Sequence, residues 1–227
     1  MKSAAIVGLA LAATAQATVQ GFDISDSQPI VDFEAARDGG ARFVYLPTQQ
    51  ATEGTNDISR TFSSQYEGAS SAGLIRGAYH VAHLGETPGA VQAYFFASHS
   101  GGWSGDGITL PGMLDLESGL GAAQCWGLSP GDIVAWIMDF SDTYLASTTR
   151  YPMIYTSPSW WQTCTGDSDA FANTNPLVLA HYGGSVGPIP GGWPTYAIWQ
   201  YSDSYAYGGD ADLFNGEESD LHELATG

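Results

Sequence analysis

From residue 18 onward, short apolar runs of strand character alternate with segments whose apolar residues recur at helical spacing. The strand signals fall at Val19–Ser25, Phe43–Leu46, Leu74–Val81, Gly112–Glu117, Pro152–Thr156, Leu177–Tyr182 and Tyr196–Ser202. Between them, Val31–Asp38 predicts a helix stopped by Gly39-Gly40. Ser59–Ala72 predicts a second, with Phe62 and Tyr66 four apart and Gly73 at its end. Gly89–Ser98 sets Val91, Tyr94 and Phe95 on one face. The clearest helix starts at Ser129, where Ser129-Pro130-Gly131-Asp132 supplies an N-cap, a proline in the first turn and an acid at the third position. Ile133, Ile137, Phe140 and Tyr144 then form its apolar stripe. Strand–helix alternation implies parallel strands covered by helices: an α/β fold, either a TIM-like (β/α) barrel or a doubly wound sheet. The last third differs, because Gly183–Pro194 is rich in Gly and Pro and too short for a helix. That predicts antiparallel pairing in the C-terminal third and an irregular barrel, with residues 18–227 as one domain.

The first seventeen residues read differently. Lys2, the apolar run Ala4–Ala13 and the small-x-small triplet Ala15-Gln16-Ala17 predict a secretory signal peptide cut before Thr18. The protein is therefore expected outside the cell, and no later run is long enough to span a bilayer. Two cysteines, Cys125 and Cys164, suit an oxidising route and predict one disulfide. In the chain-entropy picture, closing a loop of about 40 residues contributes about 4 kcal/mol.

Charge narrows the partners. Six Lys+Arg against 24 Asp+Glu give a net charge of −18, and loss of Lys2 leaves five arginines as the fixed cations. Such a surface repels nucleic acid and anionic lipid alike. A neutral, cationic or sugar-like ligand remains, with no cofactor expected. A metal centre is not expected either, since the five histidines show no ligand spacing. The protein is expected to act as a monomer.

In a parallel barrel, chemistry gathers at the C-terminal ends of the strands. Three strand-like segments carry acids there: Gly21-Phe22-Asp23, Asp115-Leu116-Glu117 and Gly209-Asp210-Ala211-Asp212. In Asp115-Leu116-Glu117 both carboxylates project to one side, with about 6.6 Å between their Cα atoms, while Leu116 faces the helices. Converging negative charges and desolvation raise at least one pKa. The outcome is a neutral acid beside ionised neighbours, which is the pairing that glycoside hydrolysis requires. A lone D-x-E triplet fits a surface turn as well, and Asp23 alone fits a strand-end cap; the three segments together are more specific.

Taken in order, Gly21-Phe22-Asp23-Ile24-Ser25, Ala51-Thr52-Glu53-Gly54-Thr55, Gly77-Ala78-Tyr79-His80, Asp115-Leu116-Glu117, Tyr182, Trp199-Gln200-Tyr201 and Gly209-Asp210 with Phe214-Asn215-Gly216 resemble glycoside hydrolase family 25. The resemblance covers essentially the whole chain after residue 17 and is greatest to the fungal members, which place cysteines alike. It implies an irregular (β/α) barrel that cleaves the β-1,4 bond between N-acetylmuramic acid and N-acetylglucosamine in peptidoglycan. By the same resemblance Glu117 is the general acid, and Asp115 orients the substrate 2-acetamido group or stabilises an oxazolinium-like intermediate. Asp23 and Asp210 match two further cleft acids. The chain departs from the family's pattern at Tyr45–Gln50, which is about three residues longer and puts Gln50 where lysine is usual. Pro47 interrupts a central strand there and leaves the place of Glu53 open. His83 stands where an arginine is commoner.

Tyr79, Tyr155, Tyr182, Trp199 and Gln200 are candidate sugar contacts, since aromatic faces and amide edges suit pyranose rings; core packing is the plainer role for the aromatics. His80 fits either a cleft hydrogen bond or a satisfied core position. Trp103, Trp160 and Trp193 lie in or beside loops and are candidates for the rim, whereas Asp212 and Glu217-Glu218 read as solvated surface. Two rival functions stay open: a non-catalytic glycan-binding barrel, and a hydrolase of another N-acetylhexosamine polymer such as chitin.

Overall fold

The computed structural model describes residues 17–48, 58–119 and 123–227. The expected signal peptide, apart from Ala17, lies outside the described residues, and so does Glu53.

Eight strands close into a barrel in chain order. They are β1 (Thr18–Asp23), β2 (Phe43–Pro47), β3 (Ile75–Val81), β4 (Met113–Asp115), β5 (Met153–Thr156), β6 (Leu177–Ala180), β7 (Ile198–Ser202) and β8 (Asp210–Asn215). The strands from β1 to β7 run parallel, and β8 pairs antiparallel with both β7 and β1. Antiparallel pairing thus falls in the last third, but one strand later than the helix-free Gly183–Pro194 loop suggests. That loop joins two parallel strands, β6 and β7. Pro47 does not break the second strand; it ends it, opposite Tyr79.

The helices are α1 (Phe33–Asp38), α2 (Phe62–Ser71), α3 (Gly89–Phe96, continued by a π-helical turn at Ala97–Gly101), α4 (Pro130–Thr148), α5 (Pro158–Thr165) and α6 (Glu218–Thr226). The cap of α4 forms as the sequence predicts: the Ser129 hydroxyl oxygen accepts from the Asp132 amide at 3.3 Å. The same Ser-Pro signal at Ser157-Pro158 starts α5. A reciprocal box between Glu217 and Asp220 starts α6. The start of α5 thus repeats that of α4, whereas α6 relies on its acidic box alone.

Two apolar layers result. Phe22, Val44, Leu46, Leu114, Leu116, Ile154 and Leu179 point outward from the strands and meet Ile133, Ile137 and Phe140 of α4 and their neighbours. The barrel interior holds Val19, Phe43, Tyr45, Ile75, Tyr79, Met113, Met153, Val178, Ile198 and Phe214, and Leu221 and Ala225 of α6 belong to the same cluster. Large and small residues alternate inside it. A methyl group at Gly77 would run into the Tyr45 ring, whose hydroxyl donates to the Pro111 carbonyl at 2.9 Å. A glycine here leaves the space that the fully buried ring fills.

Gly77→Ala is therefore expected to overpack the interior and cost about 1–3 kcal/mol. A urea titration should show a lower midpoint at unchanged slope; an unchanged midpoint would mean that Tyr45 yields freely.

Candidate active site

One end of the barrel is polar. The carboxyl ends of the parallel strands bring Asp23, Tyr79, Asp115, Tyr155 and Gln200 to a single rim, and the amino end of antiparallel β8 adds Asp210. Glu117 lies two residues beyond β4 and continues its inward alternation. Together with Ser25, Met113 and Tyr182 these residues line a cavity of about 180 Å³. All four acids expected to carry the chemistry therefore share one hollow. Gly209 permits the approach of β8 to β1: it holds a left-handed φ of 76° and a Cβ there would strike the Asp23 carbonyl.

A second, more open groove of about 550 Å³ continues from the cavity. It is walled by Ser157, Pro158, Ser159 and Gln162 at the start of α5 and by Ala180, His181 and Pro188 opposite. Glu117, Tyr155 and Tyr182 line both spaces, so Glu117 stands at their junction. Ser159, Gln162, Ala180, His181 and Pro188 carry no sequence signal that points to a groove.

Gln200 organises the rim from within and is 2% exposed. Its amide nitrogen donates to Asp23 Oδ2 at 2.7 Å. Its carbonyl oxygen accepts from the hydroxyls of Tyr155 at 2.8 Å and Tyr182 at 3.1 Å. Its polar atoms are thus committed to the protein, while Tyr182, half exposed, lines the cavity. The Tyr79 hydroxyl donates to the Ile24 carbonyl at 3.0 Å.

Burial and mutual repulsion push the carboxyls upward. Burial, reinforced by Asp210, raises Asp23 to about 7, although hydrogen bonds from Gln200 and Asp212 pull it down. Burial, then Glu117 and Asp23, hold Asp115 well above the usual carboxylate range. Its Oδ1 is buried and has no protein partner. Glu117 is raised by the desolvating walls of the cleft and by Asp210, and Asp210 by partial burial and Asp203. Uncharged acids therefore persist in the cleft at pH values where a surface carboxyl would be ionised.

Strand parity corrects several sequence expectations. His80 faces outward from β3: it is fully buried, shares a 2.8 Å hydrogen bond with Gln92 and packs on Phe96 and Phe140. Burial lowers it to about 4, which fits a neutral core histidine and not a sugar contact. Trp199 is absent from the cavity lining; its indole donates to the His181 carbonyl at 2.7 Å and its ring lies 5.8 Å from that of Tyr201. Trp160 and Trp193 are buried, not rim residues, and Trp103 stacks under the Arg150 guanidinium, away from the acids. Asp212 is no surface acid, being 3% exposed. Glu217 and Glu218 do lie at the surface, the latter 3.2 Å from Arg42.

The expected disulfide is present, joining Cys125 to Cys164 of α5. The adjacent Trp126 donates its indole N–H to the Glu117 carbonyl at 3.2 Å, so the bridged loop also grips the segment carrying the proposed acid. Among the described residues, no cluster of ligating side chains is arranged to hold a metal ion.

Clustered carboxylic acids at the rim of a (β/α) barrel, beside a long groove, define a glycoside-cleaving enzyme. The comparisons agree: the model of "Glycosyl hydrolases family 25" matches residues 22–210, and the chain belongs to that family. It is 60% identical over 214 residues to the N,O-diacetylmuramidase of Chalaropsis sp, covering 92% of this chain and all of that one. Among solved structures, it resembles the family GH25 lysozyme from Aspergillus fumigatus at 50% identity and a TM-score of 0.90, covering 93% of this chain and 100% of that one. It also resembles the muramidase from Trichobolus zukalii, at 53% identity and a TM-score of 0.88 over 92% of this chain and 99% of the other.

The raised carboxyls predict how stability depends on pH. Below about 3.8, the ordinary aspartate value, they are neutral whether the chain is folded or not. As the pH rises towards 7 the unfolded chain ionises first and binds fewer protons, so stability should fall across that window. Asp115→Asn removes one such group and should flatten the fall, as read from Tm between pH 4 and pH 7. Parallel slopes for the variant and the wild type would show that Asp115 is not held neutral.

Proposed function

We propose that the protein is a secreted muramidase that hydrolyses the β-1,4 bond between N-acetylmuramic acid and N-acetylglucosamine in bacterial peptidoglycan. Secretion rests on the leader-like first seventeen residues and the disulfide. The observation that carries the catalytic reading is the position of Glu117, where the acid-lined cavity opens into the groove. A glycan strand laid along both spaces brings one glycosidic oxygen beside that carboxyl.

Glu117 is the general acid. Its raised pKa keeps the proton available for the leaving oxygen. Asp115 lies deeper, with an oxygen free of protein partners, and orients the 2-acetamido group of the sugar in the cavity. The acetamide oxygen can then take the place of a protein nucleophile, or water can attack directly; Asp115 serves both routes. Asp23 and Asp210 complete the negative wall against the oxocarbenium-like transition state. Tyr79, Tyr155 and Tyr182 provide flat apolar faces with hydroxyl edges, which suits a pyranose.

Glu117→Gln should fold and bind wall fragments normally while turnover falls ~10²–10⁴-fold. Release of muramic-acid reducing ends from bacterial walls measures this. Binding without release by the wild-type protein would identify a glycan-binding barrel, and activity on chitin alone would reassign the substrate. Activity should peak on the acid side, because Glu117 must be protonated and the chain left after loss of Lys2, at −19, is repelled by an anionic wall once both are fully ionised. A maximum above about pH 8 would contradict the role of Glu117.

A further inference from the structure

Beneath the rim lies an acid that the mechanism above does not use. Asp212 points into the barrel from β8, opposite Gly21 of β1 and Gln200 of β7. It sits between Asp210 at the rim and Phe214 in the apolar interior. An apolar side chain would serve packing better there, since burying a carboxyl is costly without full hydrogen bonding. Asp212 does not meet that cost in full: its Oδ1 is buried and without a partner, and the ionisable neighbour its side chain reaches on β1 is Asp23.

We propose that Asp212 is a positioning residue which stays protonated and donates a hydrogen bond to Asp23, so that Asp212 and Gln200 together clamp the Asp23 carboxyl in the cleft. This rests on the reading that Asp23 works in the cleft. Gln200 donates to Asp23 from β7 and Asp212 from β8, and the two are direct cross-strand neighbours. Three titratable groups face Asp212: Asp23 from β1, Asp210 on its own strand, and the Tyr45 hydroxyl from β2. None is a cation, so none of these three favours its charged form. Burial and the two aspartates push its pKa well above the usual range, consistent with a permanent donor. The donated bond in turn lowers Asp23, opposing the burial and repulsion that raise it.

Two substitutions separate positioning from packing. Asp212→Leu removes the donor and should lower kcat ~10–100-fold, the loss expected for a buried hydrogen bond to an ionisable group. Asp212→Asn keeps an N–H donor of similar shape and should stay within ~5-fold of the wild type. In an Asp23→Asn background, Asp212→Leu should change turnover by less than ~2-fold, because the residue through which it acts is already gone. Carboxyl ¹³C NMR of Asp23 supplies a readout independent of activity. Its titration midpoint should rise in Asp212→Leu and stay near the wild-type value in Asp212→Asn. An unmoved midpoint in Asp212→Leu, or additive losses in the double variant, would overturn the proposal. If Asp23→Asn alone leaves turnover intact, the reading of Asp23 falls, while the midpoint shift still decides whether Asp212 donates to it.

Discussion

The molecule depends on a conflict between closing a barrel and burying negative charge. Antiparallel β8 brings Asp210 and Asp212 against β1, and the parallel strands bring Asp23 and Asp115 to the same hollow. Their ionised forms repel one another in a poorly hydrated space, and the cheapest response is to keep protons. Glycoside cleavage needs a carboxyl that is still an acid when its neighbours can be bases. Here burial, reinforced by repulsion among the residues, produces that state, and the described cavity lining holds no cation.

Much of this was legible in the alternation of single residues. Asp115-Leu116-Glu117 behaves as a strand of period two requires, with Leu116 buried under the helices and both acids on the cavity. The same rule separates neighbouring residues elsewhere on the rim. Tyr79 and Gln200 face inward, so their neighbours His80 and Trp199 must face outward. Asp212 is two residues from Asp210 and shares its side, but the Gly208-Gly209 turn and the density of acids nearby made the segment look solvated.

Other features were not legible for physical reasons. The groove beside Glu117 is assembled by the start of α5 and a helix-free loop after β6, and no periodicity marks residues that meet only across a rim. The direction of β7 is not marked in the sequence, because a long irregular connection can cross from the carboxyl end of one strand to the amino end of the next without a helix. Residues 181–197 do so, and on β7 the Trp199 ring pairs with Tyr201.

The reversed course of the last strand also decides where α6 lies. Because β8 descends from the rim, α6 is delivered to the opposite pole, where Leu221 and Ala225 stopper the barrel and Gly227 rests near Trp103. Thr18 starts β1 at that same pole, opposite Asn215. Anything attached to the carboxyl terminus, whether an affinity handle or a covalent link to a solid support, hangs from the base. A polymer as bulky as a cell wall can then still approach the mouth unobstructed.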